Sequence, residues 1–233
     1  MSAIFKREFK AYFSSPLGYV FLTIFFFFEG MFFSTIFSAG SPETTYVVAA
    51  MTTIIVFVTP VLTMRLLSED RKQKVDQALL TAPVTVTGII MGKFFAAFSV
   101  FALAFSPTFI FQIIVATKVS VNWLTYVNVL VGILLVGAAL IAMGMFISSL
   151  TESPVISCIL TLVAFLVIMM ISSLAEMTGV EFLTEIAEYV GLMDRFQNFY
   201  DNVFPVTDVI YLLSIAGVFC FLSVRAVEKR RWS

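Results

Sequence analysis

The sequence predicts an all-α membrane protein with six transmembrane helices. Of its 233 residues, 60% are apolar and only 12% are charged, whereas soluble chains are roughly half apolar and about a quarter charged. So few charges cannot cover a soluble surface, but a lipid-facing surface needs none. A spanning helix takes about 20 apolar residues, and the chain offers six such runs: Leu17–Phe37, Val47–Leu67, Thr87–Val115, Tyr126–Leu150, Val155–Leu174 and Val206–Val227.

The amino-terminal segment, residues 1–16, predicts a helix lying in the membrane interface. At helical spacing its aromatic residues fall on one side and its cations on the other. The aromatic side includes Phe5 and Phe9, and the cationic side includes Lys6 and Arg7. The segment is interpreted either as an elbow that clamps against a cytosolic partner or as a simple membrane anchor. The apolar run that follows is too long for a signal peptide and is expected to be a retained span.

Spans one and two are predicted within residues 17–67, and spans three to five within residues 87–174. Pro60 and Pro107 lie inside two of these spans and indicate kinks, because proline removes a helix hydrogen bond. Span four carries a stretch of small residues between Gly132 and Gly144, which favours close helix packing.

The basic residues predict the orientation. If both termini are cytoplasmic and six helices connect them, all of the 14 basic residues except Lys118 and Arg195 lie on the cytoplasmic side. This strong positive-inside bias predicts a multi-pass protein of a cytoplasmic membrane with both termini inside. The last span and the basic tail occupy residues 206–233.

Residues 68–86 connect spans two and three on the cytoplasmic side and predict a helix of about four turns. Ser68 is a candidate N-cap, and acidic residues in the first turn suit the positive end of the helix dipole. Pro83 is expected to end the helix. From these features alone, a merely solvated segment between two spans is the favoured interpretation.

The run Ser68-Glu69-Asp70-Arg71, then Asp76-Gln77-Ala78-Leu79-Leu80-Thr81-Ala82-Pro83-Val84, then Gly92-Lys93-Phe94, resembles the signature of ABC-2-type transporter permeases. The chain's end is similar to the gliding-motility-type branch of that family, with Asp208–Leu212 opening the last span and Glu228-Lys229-Arg230-Arg231-Trp232 closing the chain. The resemblance covers essentially the whole chain, residues 1–233, as a single transmembrane domain.

The resemblance implies that residues 68–86 form a coupling helix that docks into a separate ATP-binding subunit. The residues expected to couple are Glu69, Asp70, Arg71, Lys74, Asp76, Leu79, Leu80 and Pro83. It further implies an exporter in a bacterial cytoplasmic membrane, with two cytosolic ATPase subunits that bind Mg-ATP and a second permease copy or a sister permease. Membrane lipid is the remaining partner.

The outer segment, residues 175–205, is acidic, but it also contains apolar residues that recur three and four positions apart. This pattern predicts two short amphipathic helices that break around Gly191. The resemblance implies that they dip back into the outer leaflet and gate the exit, whereas an ordinary capped loop is the alternative.

Three polar side chains lie inside the predicted spans. Glu29 is an intramembrane acid, which usually faces the bundle or water, and its role is open between function and structure. Gln112 and Asn128 are interpreted as helix-to-helix hydrogen-bonding groups.

The composition excludes several kinds of site. A net charge of -1 gives no basis for binding nucleic acid, and the absence of His excludes His-ligated metals and His-based catalysis. Cys158 and Cys220 lie in apolar runs and are interpreted as buried small hydrophobes. Gly88–Phe94 is one residue short of a phosphate-binding loop and lacks its Ser/Thr. The chain is therefore expected to have no ATPase, no other enzymatic activity and no cofactor of its own.

Two other functions remain open. An ATP-independent channel or carrier would use Glu29 and the outer acids as an ion path. A non-transporting subunit would only transmit force or a signal across the bilayer.

Overall fold

The computed structural model describes residues 2–40, 44–73, 85–178, 191–201 and 204–231. Within these ranges all regular structure is helical, and the predicted all-α class is confirmed. The helices are α1 (Ser2–Ser14), α2 (Pro16–Ser38), α3 (Thr45–Thr63), α4 (Ser68–Lys72), α5 (Val86–Ala104), α6 (Ser106–Ala116), α7 (Trp123–Leu150), α8 (Pro154–Thr178), α9 (Leu192–Asp201) and α10 (Val206–Arg231).

Among the residues that the structure describes, five helical segments are long and apolar enough to cross a membrane, which confirms the multi-pass character of the protein. They are Pro16–Ser38, Thr45–Lys72, Val86–Ala116, Trp123–Leu150 and Val206–Lys229. α8 supplies a shorter apolar stretch, Pro154–Met170. The sixth crossing stays a prediction.

Helix α7 is the centre of the bundle and packs against α3, α5, α8, α9 and α10. Its glycines allow the close approach of these neighbours. A Cβ atom added to Gly132 would lie 2.6 Å from Cγ of Phe199, and one added to Gly137 would collide with the ring of Phe101. The small-residue stretch of this helix therefore packs closely, as its sequence predicts.

The third predicted run is broken at Phe105, between α5 and α6, and Pro107 stands in the first turn of α6. The Thr108 hydroxyl donates to the Phe105 carbonyl at 2.7 Å, so a side chain satisfies a carbonyl at the break. Proline has no N–H to donate to the preceding turn, which explains the interruption. Helix α3, in contrast, continues through Pro60 to Thr63.

A sharp elbow joins α1 to α2. Ser15 has an extended backbone (φ -113°, ψ 158°), and α2 begins at Pro16, whose fixed φ suits a first helical turn. A Cβ atom added to Gly18 would lie 2.5 Å from the Tyr12 carbonyl oxygen. Glycine at this position thus lets the two helices approach, and α1 packs against both α2 and α5.

The end of the bundle at which α3 and α7 end and α5 and α8 begin is called the basal end. The opposite, distal end carries α9, which begins directly after Gly191 and packs on α7 and α10. Arg195 donates to Asp208 at 2.6 Å and its guanidinium lies 3.9 Å from the ring of Tyr211. These contacts tie α9 to the start of α10. Residues 179–190, the rest of the predicted outer pair of helices, lie outside the described ranges, and α8 extends to Thr178.

Candidate functional site

Six charged side chains gather at the basal end and form the largest polar arrangement in the described residues. They come from α1, from the turn between α3 and α4, from α4 and from the start of α5. We name this arrangement the Lys93 cluster, and it consists of Arg7, Glu8, Arg65, Glu69, Asp70 and Lys93.

Lys93 is the centre of the cluster. It lies on the otherwise apolar helix α5, and its side chain is only 1% exposed. Its ammonium group is 2.7 Å from the Asp70 carboxylate and 3.0 Å from the Glu8 carboxylate. A lysine at this depth requires partners, because an uncompensated buried charge is costly. Two acids from different helices meet that requirement and join α1, α4 and α5.

Glu8 is held between two cations. Arg7 donates to its carboxylate at 2.5 and 3.1 Å, and Lys93 contacts the same oxygen. Burial by itself would raise the pKa of the Glu8 carboxyl, but Lys93 and Arg7 outweigh burial and hold this pKa below its ordinary value. The ionised form of Glu8 is therefore part of the folded arrangement.

Arg65 extends the cluster toward α2. Its guanidinium makes a two-pronged contact with the Glu69 carboxylate, one bond of which measures 2.7 Å. A third nitrogen donates to the Ser15 hydroxyl at the elbow, at 3.2 Å. Bidentate arginine–carboxylate contacts fix orientation as well as distance, so Arg65 sets the position of the elbow relative to the end of α3.

The elbow also bonds directly to the end of α3. The hydroxyl of Tyr12, a 6% exposed residue, donates to the Leu62 carbonyl at 2.9 Å. The Leu66 N–H bonds to the Thr63 carbonyl at 3.1 Å instead of continuing the α-helical pattern to Leu62. Tyr12 thus supplies a donor where the helix unwinds.

Helix α7 also bonds to the turn between α3 and α4, from the side opposite Tyr12. The Ser148 hydroxyl accepts hydrogen bonds from the Leu67 and Ser68 N–H groups at 3.1 and 3.0 Å and is 3.1 Å from the Met64 carbonyl, to which it donates. Ser68 is the first residue of α4 and its side chain bonds back to Met64. The predicted N-cap role of Ser68 is therefore wrong, because Leu67 occupies the N-cap position. The N–H groups of Leu67 and Ser68 donate to the Ser148 hydroxyl instead.

Arg71 connects α4 to the junction of α7 and α8. Its guanidinium lies 2.9 Å from the Glu152 carboxylate and donates to the Leu150 carbonyl at 3.3 Å. The next two residues, Lys72 and Gln73, are exposed. The end of α4 therefore presents these two side chains outward while its earlier turn is tied to the bundle.

A cavity of about 340 Å³ lies between α1 and the α3–α4 turn. Charged groups of the Lys93 cluster and the buried Tyr12 line it, and Gln73 forms part of its rim. Among the described residues, no group of three acidic or cysteine side chains converges to hold a metal ion.

The predicted coupling residues divide into two groups. Glu69 and Asp70 belong to the Lys93 cluster, and Arg71 is anchored to α7 and α8 as above. The other five lie outside the described ranges: Lys74, Asp76, Leu79, Leu80 and Pro83.

The predicted elbow residues lie on α1. Phe5 and Phe9 stack with ring centroids 5.8 Å apart, and Lys6 and Arg7 are exposed. Whether this helix rests in a membrane interface stays a prediction.

The intramembrane polar residues lie apart from the Lys93 cluster. Glu29 is completely buried, and neither carboxyl oxygen has a hydrogen-bond partner in the structure. The Gln112 side chain accepts a bond from Thr44, just before α3. Asn128 donates to the Phe199 carbonyl at 2.5 Å and so joins α7 to α9.

Sequence reasoning missed the main members of the site. Lys93 entered it as a topology signal and as part of the Gly92-Lys93-Phe94 motif, without a partner. Arg65 entered it only as one of the cytoplasmic basic residues, and Glu8 only as one charge of the amino-terminal helix. The signal that could have found Lys93 is its place in the second turn of a strongly apolar helix, where a lysine needs an acid. Nothing in the sequence pairs it with Glu8, which lies 85 positions earlier.

The arrangement is suited to transmitting force. The positive and negative side chains of the Lys93 cluster are equal in number. Their short bonds join α1, the α3–α4 turn, α4 and α5 at the basal end of the bundle. Comparison with known protein families and with characterised protein sequences finds no match.

Proposed function

We propose that this chain is the membrane subunit of an ATP-binding-cassette transporter of the ABC-2 type, an exporter in a bacterial cytoplasmic membrane. It works as a dimer with two cytosolic ATPase subunits, which bind Mg-ATP. The observation that carries the proposal is the Lys93 cluster, which ties α1, α4 and α5 into one unit, and α4 and α5 are the helices that precede and follow residues 74–84 in the sequence. A push on that segment reaches the elbow, the end of α3 and the start of α5 together.

Two further features support a transporter. Span three is divided at Phe105 into two helical segments, and discontinuous spans are common in transporters. At the distal end, Phe199 of α9 packs over Gly132, the tenth residue of α7. At about 1.5 Å per residue, this contact lies about 14 Å along α7, as expected of a helix that dips back toward the outer leaflet.

The test begins with purification of the chain from its native membranes in mild detergent. We expect a soluble protein with a nucleotide-binding loop to co-purify in a stoichiometric amount, and to be lost when residues 69–80 are scrambled. A sharper variant is Lys72→Glu, because Lys72 is exposed and has no hydrogen bond or ion pair with another residue that the structure describes. Lys118→Glu, an exposed lysine at the distal end, is the matched control.

The expected result is weaker ATPase binding, or lower ATP turnover stimulated by the membrane subunit, in Lys72→Glu but not in Lys118→Glu. Equal behaviour of the two variants argues against docking at this place. A chain that purifies alone from native membranes rejects the ABC assignment.

A second candidate function is an ATP-independent channel or carrier, which one observation favours. Glu29 is fully buried with both carboxyl oxygens unpartnered, and such groups mark ion or proton pathways in membrane proteins. Ion flux into vesicles that hold this chain alone, abolished in Glu29→Gln, would select this function. A non-transporting force or signal subunit predicts ATPase coupling without any flux.

A further inference from the structure

A groove with an apolar lining runs along the outside of the bundle between α5, α7 and α10. It encloses a cavity of about 610 Å³, well within the range of about 300–1,000 Å³ that small-molecule sites occupy. Leu135 and Ala138 of α7 contribute to its lining, and Phe95 and Leu213 stand on opposite walls. The last two are 38% and 53% exposed, so the groove opens sideways, toward lipid.

The groove has the length of one leaflet. On α10 it extends from Leu213 to Glu228, which is about 22 Å at about 1.5 Å per residue. Half of a hydrocarbon core of roughly 30 Å is about 15 Å, and the remaining length reaches into the headgroup layer. An acyl chain lying along α10 would fill the apolar part and place its headgroup at the basal end.

Gly217 lies in the lining of the groove on α10. A Cβ atom added there would meet no other atom within 4 Å, so this face of α10 lies open beside the cavity. A larger side chain at this position would project into the groove and compete with any occupant.

The basal mouth of the groove is polar. Arg225 lies there with a 64% exposed side chain, bonded to Glu228 at 3.0 Å and with its guanidinium 5.0 Å from the ring of Phe221. The bond to Glu228 uses one of the five guanidinium N–H groups, and the exposed Lys229 follows in sequence. Guanidinium groups bind phosphate oxygens bidentately, which suits a phospholipid headgroup.

We infer that this groove is a binding site for one anionic phospholipid of the leaflet at the basal end, with an acyl chain between α5 and α10 and its phosphate at Arg225. The inference does not depend on the transporter proposal. It requires only that the chain is a membrane protein.

The test uses the full chain in phospholipid vesicles. Trp123 and Trp232 are replaced by Phe, and Phe95→Trp places the single fluorophore on the groove wall. Brominated phosphatidylglycerol and brominated phosphatidylcholine then quench it in competition with unbrominated lipid. Leu213→Trp on the opposite wall is the second reporter, in case the first disturbs folding.

We expect anionic lipid to bind at the reporter about fivefold more tightly than zwitterionic lipid, since one cation near the surface contributes about that factor. Arg225→Gln removes the preference and leaves quenching by phosphatidylcholine intact. Gly217→Leu reduces quenching by both lipids. Gly30→Leu, at another glycine with no atom within 4 Å of an added Cβ, changes neither and is the matched control.

Two results would overturn the inference. Equal affinity for the two lipids at both reporters shows an ordinary lipid contact surface without a site. Protection of both reporters from both lipids shows that protein covers the groove, either a second copy or another segment of this chain.

Discussion

At the scale of the residue, Lys93 defines the basal end of this protein. Its ammonium group is buried, yet it contacts two carboxylates that come from different helices. Removing one member of a buried ion pair costs far more than the pair contributes, because the remaining charges keep the cost of burial without compensation. The cluster is therefore sensitive to single substitutions.

Lys93→Met is expected to destabilise the protein by about 3 kcal/mol, since Asp70 loses the cation that contacts it and Glu8 keeps only Arg7. Denaturant unfolding in detergent micelles measures the effect. Lys118→Met, at an exposed lysine, should change stability little. A Lys93→Met protein as stable as the wild type would show that the contacts to Lys93 are not needed.

The lowered pKa of Glu8 gives a pH dependence with a defined sign. Because this pKa lies below its ordinary value of 4.5, the stabilisation is fully present above about pH 4.5 and is lost as the pH falls through the folded-state pKa. Thermal unfolding between neutral and acidic pH should show a smaller loss of stability in Glu8→Gln than in the wild type. Parallel curves for the two proteins would contradict this.

At the scale of the element, the unwound turn between α3 and α4 determines how the basal end is assembled. Its free backbone groups find partners on other helices, Tyr12 of α1 and Ser148 of α7. Backbone groups without such partners would be costly in an apolar setting. The turn is thus a junction of three helices and not a simple end of one.

Ser148→Ala is expected to cost about 1–3 kcal/mol, because two buried N–H groups lose their acceptor. The Tm in detergent measures this loss. Ser214→Ala removes an exposed hydroxyl that bonds only to its own helix and should have a much smaller effect. If both variants melt alike, the hydrogen bonds across helices contribute nothing.

At the scale of the whole molecule, the bundle has two polar ends joined by apolar helices, and the basal end carries most of the cations. The positive-inside bias predicts that this end faces the cytoplasm. The Lys93 cluster, the exposed end of α4 and the basic tail would then share one aqueous phase, whereas α9 and Lys118 would face the other.

Single-cysteine variants test this orientation. With Cys158 and Cys220 replaced by Ala, Lys118→Cys should react with a membrane-impermeant maleimide on intact cells. Lys72→Cys should react only after the cells are opened. The reverse pattern would place the basal end outside and remove the basis for cytosolic ATPase docking.

The sequence allowed the helices to be predicted but not the contacts between them. Hydropathy located α2, α3, α7 and α10 within a few residues, because a span needs a run of about 20 apolar residues that is visible in the sequence, and Pro107 marked the α5–α6 break. Contacts between distant residues, such as Glu8 with Lys93 or Ser148 with Leu67, depend on helix rotation and packing, which no local pattern encodes. Ser68 shows the same limit. It is a typical N-cap residue, but the N–H groups at the start of α4 bond to Ser148, 80 positions later in the sequence.

The position of Lys93 also has a consequence for biosynthesis. Both of its counter-ions precede it along the chain, so the ribosome has already delivered Glu8 and Asp70 when this lysine emerges. The apolar helices α2 and α3 are synthesised by then, with Glu8 before α2 and Asp70 after α3 in the sequence. Both counter-ions of the lysine are therefore already synthesised when it reaches the edge of the bilayer, whereas Ser148, which holds the turn before α4, is made later.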